Sequence, residues 1–145
     1  MIRQISRYCL YIVFSYSAVW ISEIVGSGFL HDFLTKNLIT LLVALIAINT
    51  ASRTALLSKL KEFGDKHSLT FSNTSKQLKS ALYEQVGLVL VAIVFSVCAT
   101  STIATTNHTV LSFSLVALGV TFLASLQIIV DTGQAALIIL DKQQQ

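Results

Sequence analysis

Proline is absent from the 145 residues, charged side chains make up only 12%, and there are two cysteines and one tryptophan. Each shortage excludes something. Without proline, no residue in the chain both removes a backbone donor and blocks a helix, so long helices can run until glycine or a polar turn stops them. Charge at about half the usual quarter of residues is too sparse to cover a water-soluble domain, and 54% hydrophobic content with a mean hydropathy of +0.74 points to an integral membrane protein. Cys9 and Cys98 fall within apolar runs, which predicts small buried side chains and no disulfide framework. The sequence has no HExxH, no GxSxG and no glycine loop to cradle phosphate. His31, His67 and His108 sit in different loops, two of them on the opposite side from the third, so no metal set is expected within one chain. The expectation is a protein that is not an enzyme and needs no cofactor.

What the chain does have is long apolar runs. They predict one all-α integral membrane domain over 1–145, with four transmembrane helices at about 8–25, 38–52, 82–99 and 110–130. Arg3 and Arg7 precede the first run, but its length and the poor cleavage site Val25-Gly26-Ser27 predict a retained span and not a leader. Gly26 to Lys36 (GSGFLHDFLTK) reads as a short connection able to lie on the membrane surface. From Asn37 to Gly64 an apolar run becomes a basic amphipathic helix without a break, Gly64 being the expected left-handed C-cap. At roughly 1.5 Å per residue it is about 40 Å long, more than the hydrocarbon core of about 30 Å. It must therefore project from the membrane, and with Lys76 to Gln85 it forms a helical hairpin, about 53–81, that extends helices two and three. Thr100 to Thr109 reads as an uncharged turn.

With four spans, Arg3, Arg7, Arg53, Lys59, Lys61, Lys66, Lys76, Lys79 and Lys142 lie on one side and Lys36 on the other. This asymmetry predicts a multi-pass inner-membrane protein with both termini and the hairpin in the cytoplasm.

Ionisable and amide side chains inside lipid are the candidate functional residues, because they persist only against protein or water. Asn49 and Arg53 sit one turn apart on helix two. Arg53, Glu84 near the start of helix three and Asp131 near the end of helix four lie at similar depth and form either an interhelical ion-pair cluster or the inner mouth of a pore. Gln127, Asp131 and Gln134 follow i, i+4, i+7 spacing and share one face, expected to front a cavity or a symmetry axis. Ser114, Thr121, Ser125 and Thr132 form a second strip, of the kind that marks close helix packing. Glu23 reads as an interfacial carboxylate. Lys59, Lys61, Lys66, Lys76 and Lys79 make the hairpin basic. They either rest on anionic lipid headgroups or, gathered by a symmetric assembly, bind an anionic cytoplasmic ligand such as a nucleotide or oligonucleotide, or a regulatory protein.

The segment SRTALLSKLKEFG, Ser52 to Gly64 after span two, together with the size, four spans and cytoplasmic termini, resembles the membrane subunit of Rex-type phage-exclusion systems and, more loosely, small multispan antiphage-defence effectors. The resemblance implies an ion-conducting protein that depolarises an infected cell when a partner triggers it. The expected function is accordingly a homo-oligomeric gated channel, with a non-conducting membrane adaptor or a small four-span carrier as alternatives.

Overall fold

The computed structural model describes residues 2–67 and 72–141, and these are helical throughout apart from short turns. The helices are α1 (Ile2–Val25), α2 (Phe29–Asp32), α3 (Leu38–His67), α4 (Ser72–Thr100), α5 (Thr102–Thr106) and α6 (His108–Asp141), with a π-helical turn at Phe33–Asn37 between α2 and α3. Four helical windows are long and apolar enough to cross a membrane: Ser6–Val25, Phe29–Lys59, Lys79–Thr100 and His108–Gln134. The described residues are thus all-helical, with four helices of the length and apolar character of a multi-pass membrane protein. Residues 68–71 and the side chains of Arg3, Lys66, His67 and Lys142 lie outside the described residues.

The left-handed glycine is Gly26 at φ 67°, not Gly64, which lies inside α3. At the end of α1 the Ser27 amide donates to the Ser22 carbonyl at 3.0 Å and the Gly26 amide to the Glu23 carbonyl at 3.1 Å. This pair of bonds is a Schellman motif, which needs a residue at positive φ after the last helical turn. Gly64 lies three residues before the end of α3 at His67, and one glycine costs a helix only about 1 kcal/mol.

The connection from Gly26 to Lys36 is largely helical. Helical structure resumes at Phe29 and runs unbroken through the π turn into α3, because the phase shift of one π turn carries Leu34 inward, where it is 2% exposed. The turn loosens the backbone ladder, and Ser96 Oγ on α4 donates to the Thr35 carbonyl at 3.2 Å. Ser101 caps α5, accepting from the Ala104 amide, and Asn107 Oδ1 accepts from the Thr109 amide at the start of α6 at 3.1 Å, as side chains at helix N-termini do.

α6 is the central element. It packs on α4, α1 and α3, and α3 also packs on α4, whereas α1 rests chiefly on α6. Leu38, Leu42, Ala92 and Leu118 close the centre of the three-helix unit. Phe33 packs edge-on against Phe122, ring centres 5.9 Å apart. On α1, Ser15 enters the notch left by Gly119 of α6. Cys9 and Cys98 are exposed on the outer surface of the bundle, free and unlinked, because their positions on α1 and α4 face away from α6.

Candidate functional site

Two polar groupings sit near the end of the bundle that holds the C-terminal part of α3 and the start of α4. The first is internal. Asn49 and Arg53, one turn apart on α3, are both buried against α4 and α6. Asn49 Nδ2 donates to Gln85 Oε1 at 2.7 Å, and Arg53 Nη2 donates to Thr132 Oγ1 at 3.0 Å, whose own hydroxyl donates to the Ile128 carbonyl at 2.8 Å. Glu84, one residue before Gln85, attracts the guanidinium electrostatically. The layer joins three helices. In an apolar setting such interhelical bonds fix register, each being worth about 0.6–2 kcal/mol. Ser114, Thr121, Ser125 and Thr132 are all buried, and the Ser114, Thr121 and Thr132 hydroxyls donate to carbonyls of their own helix. Their small size lets α4 and α3 approach α6 closely.

The second grouping lies on the seam between α1 and α6. Tyr11 Oη donates to Gln127 Oε1 at 3.2 Å, Gln127 Nε2 donates to Asp131 Oδ1 at 2.6 Å, and Asp131 Oδ2 lies 3.7 Å from Arg7 Nη1 with both side chains half exposed. Asp131 therefore belongs to Arg7, while Arg53 is taken by Thr132. The triplet Arg53, Glu84 and Asp131 is split because Asp131 and Thr132, adjacent on α6, point about 100° apart around the helix. Arg7, Tyr8, Tyr11, Glu84, Gln127 and Asp131 line a cleft of about 350 Å³ between α1, α4 and α6, so Glu84 and Asp131 do share one space. Gln134 is exposed and outside that lining.

At the opposite end, Ser112 Oγ donates to Glu23 Oε1 at 2.8 Å, with His108 Nε2 3.5 Å from the same oxygen and Nδ1 3.4 Å from the hydroxyl. The hydroxyl bonds the carboxylate directly, so the set is not ordered as a nucleophilic triad, in which the imidazole stands between them. Glu23 thus links α1 to α6 while its side chain stays exposed. His31 and His108 border one cleft of about 270 Å³, and among the described residues no group of three His, Cys, Asp or Glu is placed to hold a metal. Lys36 Nζ pairs with Asp32 Oδ1 at 2.9 Å one turn away.

Lys59, Lys61, Lys76 and Lys79 are exposed on the hairpin helices. The sequence reading passed over Arg7 and Tyr11 as site residues, although their i, i+4 spacing with an aromatic and a cation at one helix end was legible. It also passed over a face of α3: Thr40, Ala44, Ala47, Ala51, Thr54 and Ser58 alternate steps of four and three, and all are exposed. That alternation of small residues is the seam spacing of packed helices.

No known protein family, curated protein or solved structure matches the chain.

Proposed function

We propose that the chain is the protomer of a homo-oligomeric gated ion pathway in a bacterial inner membrane, with both termini and the hairpin in the cytoplasm. The observation that carries this reading is the uncovered small-residue face of α3. One protomer offers no path of its own, since its centre is filled by Leu38, Leu42 and Leu118. α6, whose polar strips the sequence marked for assembly, is enclosed by α1, α3 and α4. α3 instead leaves Thr40, Ala44, Ala47, Ala51, Thr54 and Ser58 exposed along one line.

In lipid there is little hydrophobic drive between helices, and small residues provide the close approach that holds them together. A ring of α3 helices places hydroxyls at both ends of the path and alanines at its middle. Such an apolar constriction closes by dewetting. The same helix continues into Lys59 and Lys61, so a ligand or protein on the hairpin acts on the lining helix itself. Resemblance of Ser52–Gly64 to the Rex-type membrane subunit supports an effector role, depolarising the cell when the hairpin is engaged.

The test is current recording from purified protein in planar bilayers, beside cross-linking of an Ala47→Cys variant in a background lacking Cys9 and Cys98. Oligomers cross-linked through Ala47→Cys, with currents altered by Ala47→Leu, support the reading. Cross-linked oligomers without current favour the adaptor, with the exposed hairpin lysines as its docking face. Monomer without current overturns the proposal.

A further inference from the structure

We propose that the cleft between α1, α4 and α6 is a binding site for the headgroup of an aminophospholipid of the phosphatidylethanolamine class. α1 and α4 both pack on α6 with little direct contact between them, and the space left holds about 350 Å³, within the usual range for small-molecule sites. Its chemistry is zwitterionic. Arg7 supplies a guanidinium, Asp131 and Glu84 supply two carboxylates, and Gln127 and Tyr11 add hydrogen-bonding groups.

Among the described residues, none of the three charges is fully paired. Arg7 and Asp131 stand 3.7 Å apart with half of each side chain exposed, too far for a hydrogen bond. Glu84 has no hydrogen bond or ion pair within 4.0 Å among the described residues, and its electrostatic partner Arg53 lies behind it in the core. A phosphate on Arg7 and a primary ammonium between Glu84 and Asp131 would complete all three.

Depth and floor fit the same ligand. Arg7 is one residue inside the apolar window of α1, Glu84 five residues inside that of α4, and Asp131 three residues from the end of that of α6. At roughly 1.5 Å per residue these lie within about 8 Å of the window ends, the level of headgroups and glycerol. Tyr8 and Tyr11, packed edge to face at 6.0 Å, have the amphipathic character of interfacial aromatics. Deeper in, Leu88, Val91, Ala124 and Ile128 give the cleft an apolar wall against which an acyl chain lies. The site does not depend on the conduction reading, since no residue of α3 lines it.

The experiment reconstitutes the full chain in nanodiscs of equal parts phosphatidylethanolamine, phosphatidylcholine and phosphatidylglycerol with matched acyl chains. The protein is then moved into mild detergent, and the lipid that stays with it is quantified by mass spectrometry. Phosphatidylethanolamine is expected to be retained over phosphatidylcholine, whose trimethylated nitrogen has no N–H to give a carboxylate. Glu84→Gln and Asp131→Asn each lower that preference, by roughly up to fivefold for a half-exposed ionic contact. Arg7→Gln lowers retention of all three lipids. Glu23→Gln, at the far end, leaves the ratios unchanged. Glu84→Gln removes no hydrogen bond that holds the fold, so it decides the matter even if the other variants fail to assemble. Equal retention of phosphatidylethanolamine and phosphatidylcholine, enrichment of phosphatidylglycerol, or a preference left unchanged by Glu84→Gln overturns the proposal.

Discussion

Substitution of Gly119 by alanine tests whether α1 is held to α6 by shape. A Cβ at position 119 would lie 2.8 Å from Ser15 Oγ and 3.0 Å from Ser15 Cβ, with the Ser15 Cα at 3.8 Å. The first two distances are inside van der Waals contact, and although the Ser15 hydroxyl can turn away about χ1, the Ser15 Cβ is fixed to the backbone of α1. α1 must therefore shift, at a cost of about 1–3 kcal/mol for overpacking. The geometry also names the remedy. Ser15→Gly in the Gly119→Ala background leaves only the ordinary 3.8 Å contact and should restore most of the loss, less the roughly 0.5–1 kcal/mol that glycine costs inside a helix. Ser15→Ala restores less, because the Cβ remains. In the parent background, Ser15→Ala should be neutral or mildly stabilising, since the buried Ser15 hydroxyl has no hydrogen-bond partner and such a group costs about 1–3 kcal/mol. The assay is reversible unfolding in mixed micelles of rising denaturing-detergent fraction. Emission of Trp20, the single tryptophan and located on α1, reports the fate of that helix. A Gly119→Ala protein as stable as the parent, or one that Ser15→Gly fails to rescue, would refute the close-approach argument.

Three further outcomes follow from other parts of the molecule. Asn49→Leu and Gln85→Leu should each destabilise by about 1–3 kcal/mol, by stranding the partner amide in the core. The double substitution should cost less than the sum, measured in the same unfolding assay as a mutant cycle. Thr132→Val should lower stability by a similar amount, because it removes one acceptor of Arg53, whereas Asp131→Asn, at a half-exposed pair, should change it by less than about 1 kcal/mol. Cysteines placed at Ser27 and Lys61, in a background lacking Cys9 and Cys98, should react with an impermeant reagent from opposite sides, Ser27 from outside intact cells and Lys61 only after permeabilisation. Labelling of both from one side would contradict four membrane crossings.

Much of this architecture is written in the order of side chains. Scarce charge, missing proline and four apolar runs determine a helical membrane protein, since lipid leaves each segment to satisfy its own backbone and only a helix does so locally. That Ser114, Thr121, Ser125 and Thr132 form one strip of α6 and that Asn49 and Arg53 share one face of α3 was also legible, because residues three and four apart share a helix face whatever the helix packs against; which way those faces turn was not. Partners were not legible. Arg53, Glu84 and Asp131 stand at one depth, yet rotation of α6 about its axis gives Thr132 to Arg53 and Asp131 to Arg7, and spacing along one helix carries no information about the rotation of another. Gly26 and Gly64 are equal candidates for a left-handed cap until it is known which one ends its helix, and the π turn after Asp32 shifts the face of everything that precedes Leu38. Tertiary packing alone decided that α6 is central, that α1 is peripheral, and that a charged cleft opens between α1 and α4, because each depends on which helices touch and at what angle.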